Sequence, residues 1–195
     1  MSVLVDSFTN VWQNSQLYSG STIAEGQTFY NGYTYDIILD SMKFLVMKKG
    51  SPPEEGDCHA RLYAMTGTFG TNGKPTGDVL ATSDVVSLAD VPAYISSVWT
   101  EFTFSGSNRI ILSPETYYCA VFVYDGGTDY TNCIYIVGDQ DDSGYEHDAG
   151  NICTSSDLSS WSGDDGHDNG YYVYANLSPT IQGISTIQGI QSITL

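Results

Sequence analysis

Cations are what this sequence has least of. Its 195 residues hold 6 Lys and Arg against 23 Asp and Glu, for a formal charge of −17, and no Lys or Arg follows Arg109. Phosphate backbones are gripped by clustered Lys and Arg, so nucleic acid is excluded as a partner. The same shortage argues against an anionic membrane surface. No apolar run approaches the length of a membrane-spanning helix. Residues 1–13 contain neither a basic segment nor an apolar core of signal length, so no export signal is read there. Long runs of helix formers are also missing, as is any G-x-S-x-G nucleophile context. The four cysteines, Cys58, Cys119, Cys133 and Cys153, form no C-x-x-C pair, which argues against a zinc cluster. Two readings of them stay open: buried small hydrophobes, or one disulfide between Cys119 and Cys133, which flank the turn-forming Asp125, Gly126 and Gly127.

Tyrosine is abundant, at 15 residues, beside much Thr, Ser and Gly. Aromatic and β-branched residues favour strands, and a chain of this length suits one undivided sandwich. In 58–64 His59, Arg61 and Tyr63 alternate with Ala60, Leu62 and Ala64, the two-residue period of a half-buried strand. Glycines and a proline then break the chain before a second arm at 79–86. Further strands are read at 27–30, 33–39, 41–49, 98–104, 109–112, 116–124, 132–138 and 170–175, with one edge strand in 1–26 and weak ones near 149–154 and Trp161. The run 41–49 is apolar on both faces, as a central strand would be. TYYCAVFVY at 116–124 is the most strand-prone stretch and is placed at the centre of a sheet. Asp125, Gly126 and Gly127 predict a hairpin from it into 132–138. The fold class is therefore all-β: a two-sheet antiparallel β-sandwich, jelly-roll-like, over 1–176, followed by an extended tail at 177–195.

Between 139 and 169 the pattern loosens into a long acidic segment, and loops of this length are usually functional, disordered or ion-bound. Asp139, Asp141, Ser143 and Gly144 match the opening of an oxygen-ligand calcium loop. Gly150 stands where an EF-hand has its bidentate Glu, so only a looser site is left. Asp164, Asp165 and Asp168 form a second oxygen-rich group able to face the first. A structural Ca²⁺ is weighed here against a solvated acidic face, and no cofactor is required. His147 and Asp148, and His167 and Asp168, are adjacent pairs whose side chains point apart on a strand, a poor arrangement for a catalytic dyad. The expectation is a protein that is not an enzyme. Tyr145 and Trp161 are the candidates for stacking on sugar rings.

The tail reads TIQGIS, TIQGIQ, SITL. Ile181, Ile184, Ile187, Ile190 and Ile193 recur at every third residue, a period that fits neither an α-helix nor a plain strand. Five such side chains are too apolar for a typical linker. They predict a segment that docks on a partner or bundles with copies of itself, a trimer being one such bundle.

The stretches GQTF at 26–29, ARLYAMTGTFGTNGKPTGDVLATSD, WTEFTFSG, LSPETYYCAVFVYDGG and GYYVYA together resemble a β-sandwich module of tailed-bacteriophage structural proteins and extracellular bacterial proteins, often described as carbohydrate-binding-like. The resemblance covers roughly residues 20–175, and the Ile-Gln-Gly-Ile hexads resemble repeats that end many phage virion proteins. It implies a virion component, a capsid decoration or head or tail accessory protein. The expected partners are other virion proteins and further copies of the chain. Release inside a particle also accounts for a chain without an export signal. The alternative is a secreted glycan-binding module or adhesin that recognises surface glycans.

Overall fold

The computed structural model describes residues 2–11, 13–50, 58–93, 98–124, 126–127, 129–139 and 150–178. The strands are β1 (Ser2–Phe8), β2 (Gln13–Leu17), β3 (Ala24–Asn31), β4 (Ile37–Lys49), β5 (Cys58–Thr66), β6 (Lys74–Thr82), β7 (Val98–Thr103), β8 (Ile111–Leu112), β9 (Thr116–Tyr124), β10 (Cys133–Gly138), β11 (Ile152–Ser155), β12 (Ser162–Asp164) and β13 (Tyr171–Leu177). A single 3₁₀ turn, Gly106–Asn108, is the one helical element among the described residues. All of the strand pairings are antiparallel, and they build two sheets packed face to face. The chain is thus an all-β sandwich of the kind its alternating strands predict.

One sheet is centred on β4 and the other has the order β12-β11-β3-β9-β5-β6. Thirteen residues long, β4 carries apolar side chains on both faces: Met42, Phe44 and Val46 enter the space between the sheets, while Leu45 and Met47 pack on the outer face. This strand merges the two expected at 33–39 and 41–49. Tyr33 and Tyr35 precede it, with their rings 5.3 Å apart, and Asp40 is accommodated by a register shift opposite β13.

β9 is central, as expected, with β3 on one side and β5 on the other. Tyr118, Ala120, Phe122 and Tyr124 line the main core, while Cys119, Val121 and Val123 belong to a smaller cluster on the outer face. The hairpin predicted after β9 is not formed. β10 lies in the opposite sheet, paired with β4 and β2. The intervening residues carry the chain across the sandwich, so Phe122 and Tyr124 meet Ile134 and Ile136 in one core from opposite sides. The glycines supply turn chemistry but do not determine which sheet receives the next strand.

That crossover also excludes a Cys119–Cys133 disulfide. Cys119 faces outward from one sheet and Cys133 outward from the other, and packed sheets stand about 10 Å apart. All four cysteines are buried free thiols.

The second arm of the 58–86 unit starts earlier than its apolar residues suggest, at Lys74. Gly77 has φ +69°, and residues 77–80 bulge out opposite Tyr63, leaving Val79 and Leu80 exposed. β13 extends to Leu177, one residue past the boundary read from the sequence.

Candidate functional site

Four surfaces and interiors collect the chemistry of this chain, and the deepest is a break in the first sheet. Val46 of β4 pairs with Val98 on one side, so its other partner, Ile136, lies on the side that β13 also occupies. β10 and β13 therefore abut end to end along β4. The ladder is interrupted between them, and the chain closes the gap with a Gly138–Asn169 bridge and a Gly170 N–H donated to the Val137 carbonyl at 2.9 Å.

Polar side chains fill the interior at this break. The Gln27 amide donates to the Asp168 carboxylate, and its own carbonyl accepts the Asn169 N–H at 2.9 Å. The Asn169 amide donates to the Gly26 carbonyl at 3.2 Å. Gln27, Asp139, Asp168 and Asn169 are all buried, and each takes part in at least one of the hydrogen bonds at this break. Glu25 is two residues from Gln27 on the same inward face of β3. Burial pushes its carboxyl up to about 7, against hydrogen bonds from Ser15 and Asn169 that favour the charged form.

The calcium candidates separate here. Asp139 and Asp168 come together in the interior, whereas Asp164 and Asp165 are exposed, and Asp164 accepts the Gly166 N–H at 2.9 Å. Asp141, Ser143 and Tyr145 lie outside the described residues. Among the described residues no group of three or more His, Cys, Asp or Glu is placed to hold a metal ion. His167 faces Asp164, with Nδ1 3.8 Å from the carboxylate, while Asp168 turns inward to Gln27, so these neighbours form no dyad.

Trp161 lies against the outer face of the second sheet. The turn before it is tied by Asp157, whose carboxylate accepts the N–H groups of Ser159 and Ser160 and is held well below the usual carboxylate range by them. This turn lays Leu158 and Trp161 over Ala24, Val121 and Cys153, with the indole edge-on to Tyr63 at 5.5 Å. Much of the ring is thus committed to packing. Its rim borders a shallow groove of about 380 Å³ lined by hydroxyls, among them those of Thr22, Thr154 and Ser160.

Two aromatic rows escaped the sequence reading. On the outer face of the first sheet Trp99 meets Tyr172 at 4.6 Å, and Tyr172 stacks on Tyr174 at 5.8 Å. Lys43 stands over Tyr174 and pairs with Glu101 at 3.5 Å. At one end of the second sheet Tyr117 lies between Tyr30 and Phe69, 4.7 Å from each. The doubled tyrosines of TYYCAVFVY and GYYVYA were the available signal, since one of each pair must face outward. Phe69 comes from a loop and had no such periodicity to reveal it.

No family model matches the chain, and no curated protein or solved structure matches it at a significant level.

Proposed function

We propose that this chain is a non-enzymatic structural component of a virus particle, a capsid decoration or head or tail accessory protein. Its sandwich faces outward, and its isoleucine repeat anchors it to other virion proteins or to copies of itself. The observation that carries this reading is the row Ile181, Ile184, Ile187, Ile190 and Ile193, which follows a domain whose two sheets already enclose an apolar interior by Leu177. A body with formal charge −17 repels its own copies. Association then falls to an apolar segment outside it. The resemblance read from the sandwich strands points to the same role.

Removing residues 178–195 tests it. The full chain is expected to show an oligomeric mass by light scattering, and the shortened chain is expected to keep the melting temperature, to run as a monomer and to fail to enter particles. Unchanged mass and unchanged incorporation sink the proposal.

The second reading, a secreted glycan-binding module or adhesin, is favoured by the hydroxyl-lined groove beside Trp161. It requires a hit on a glycan array that Trp161→Ala abolishes.

A further inference from the structure

Asparagine is followed by glycine at three places in this chain: Asn31-Gly32, Asn72-Gly73 and Asn169-Gly170. Glycine has no side chain to shield its backbone nitrogen, so at each step that nitrogen is open to attack the amide carbon of the asparagine before it. The fold locks two of the three. Asn31 is fully buried, its amide donates to the Ser113 carbonyl at 2.7 Å, and its oxygen accepts the Tyr33 N–H at 3.2 Å. Asn169 is 2% exposed; its amide donates to the Gly26 carbonyl, and the Gly170 N–H is held by the Val137 carbonyl at 2.9 Å.

Asn72 is different. It stands exposed in the loop 67–73 between β5 and β6. The loop closes on itself: the Asn72 N–H donates to the Thr68 carbonyl at 3.0 Å, and the Thr68 N–H donates back to Asn72 Oδ1 at 2.8 Å. Gly67, at φ +86°, permits this closure, since a Cβ there would fall 2.6 Å from the Asn72 carbonyl oxygen. The Asn72 amide nitrogen donates to no group among the described residues. The next residue is held from the other side. Gly73 is buried, its N–H donates to Asn151 Oδ1 at 3.1 Å, and its carbonyl accepts the Asn151 amide at 2.9 Å. Gly163 of β12 passes so close that a Cβ on it would fall 2.6 Å from the Gly73 carbonyl oxygen. Asn151 and β12 therefore clasp the main chain directly after an exposed, unanchored amide.

We propose that Asn72 is a site of spontaneous deamidation, which converts it to isoaspartate in the folded protein and opens the Asn151 clasp. The Gly73 nitrogen adds to Cγ of Asn72. As the new N–Cγ bond forms, the Cγ–Nδ2 bond breaks, and the Gly73 proton leaves with Nδ2 as ammonia. Water then opens the resulting five-membered imide at either carbonyl, giving aspartate or isoaspartate; one water is consumed, one ammonia is released, and no oxidant is needed. The Thr68 N–H is placed to stabilise the charge that Oδ1 gains during attack. The Gly73 bond to Asn151 must open before the ring closes, whereas at Asn31 and Asn169 the leaving amide is itself bonded inside the protein. Isoaspartate lengthens the main chain by one carbon immediately before Gly73, where Asn151 and Gly163 leave no space for it. Every residue involved belongs to the sandwich, so the modification is independent of the tail and of assembly.

The test incubates the full chain at mildly alkaline pH, in native buffer and in denaturant, and follows the three asparagines by peptide mapping with mass spectrometry. In denaturant all three are expected to convert at similar rates. In native buffer Asn72 is expected to convert at least tenfold faster than Asn31 or Asn169, and an isoaspartyl methyltransferase is expected to label the product. The melting temperature is expected to fall as conversion proceeds. Asn72→Gln, which would need a larger ring, is expected to hold its melting temperature through the same incubation. Asn72→Asp carries the new charge without the extra carbon and is expected to melt like the unincubated parent, which separates charge from chain lengthening. If Asn72 converts in denaturant but not in native buffer, or Asn31 or Asn169 converts as fast as Asn72 in the folded chain, the proposal is overturned. Isoaspartate at position 72 with an unchanged melting temperature overturns the opening of the clasp.

Discussion

Asp139 and Asp168 hold each other by reciprocal backbone bonds: the Asp168 N–H donates to the Asp139 carboxylate at 3.0 Å, and the Asp139 N–H donates to the Asp168 carbonyl at 2.8 Å. The pair sits where β10 gives way to β13 beside β4, so it replaces ladder bonds that the strand break removes. Two acids 29 residues apart in sequence act as a staple inside the sandwich.

Cutting the staple leaves buried donors without acceptors. Asp139→Ala removes the acceptor of the buried Asp168 N–H and is expected to cost about 1 to 3 kcal/mol in urea unfolding. Asp139→Asn keeps an acceptor oxygen and is expected to cost less. Equal stability of the alanine variant and the parent would mean that the break is not held this way.

Glu25 makes stability depend on pH. Its carboxyl is raised in the folded chain from the ordinary 4.5 to about 7. The folded state therefore binds the proton more tightly than the unfolded state, and the group's contribution is fully present below about pH 4.5. It declines as the pH rises through 7 and is level above that, a loss on the order of 3 kcal/mol. Urea unfolding at pH 5 and pH 8 is expected to show this slope in the parent chain and a flatter one in Glu25→Gln. Identical slopes would remove Glu25 as its source.

The thiols are expected to be silent in the folded protein. Burial raises the Cys119 thiol, and the adjacent Cys153 raises it further; burial also raises Cys133. A thiol must ionise to react, so an aromatic disulfide reagent is expected to modify none of the four cysteines in native buffer and all four in denaturant. Rapid loss of two thiols under native conditions, or a mass two hydrogens short, would contradict free buried cysteines.

Calcium is expected to leave the melt unmoved. Calcium takes about six to eight oxygen ligands, and of the candidate carboxylates among the described residues Asp139 and Asp168 are joined inside while Asp164 and Asp165 face solvent. A thermal melt in EDTA is expected to superimpose on one in millimolar Ca²⁺. A shift of several degrees would place an ion on this segment.

What could be read from the sequence is whatever depends on near neighbours. The alternation of Ala60 and Leu62 with His59 and Arg61, the two-sided apolar run of β4 and the strand strength of 116–124 each follow from side chains a few residues apart, so the strands, the centrality of β4 and β9 and the all-β class were legible. Of the candidate sites the sequence marked acidity and aromatic content but could not pair them. Only the packed sheets decided that Phe122 and Ile134 meet across a core rather than along a hairpin, that Cys119 and Cys133 point away from each other, and that Asp139 reaches Asp168 while Asp164 does not. The reason is physical. Local propensity sets a strand's existence and its two faces, whereas the choice of sheet and neighbour depends on burying those faces against residues far along the chain, a free energy that no window of sequence contains.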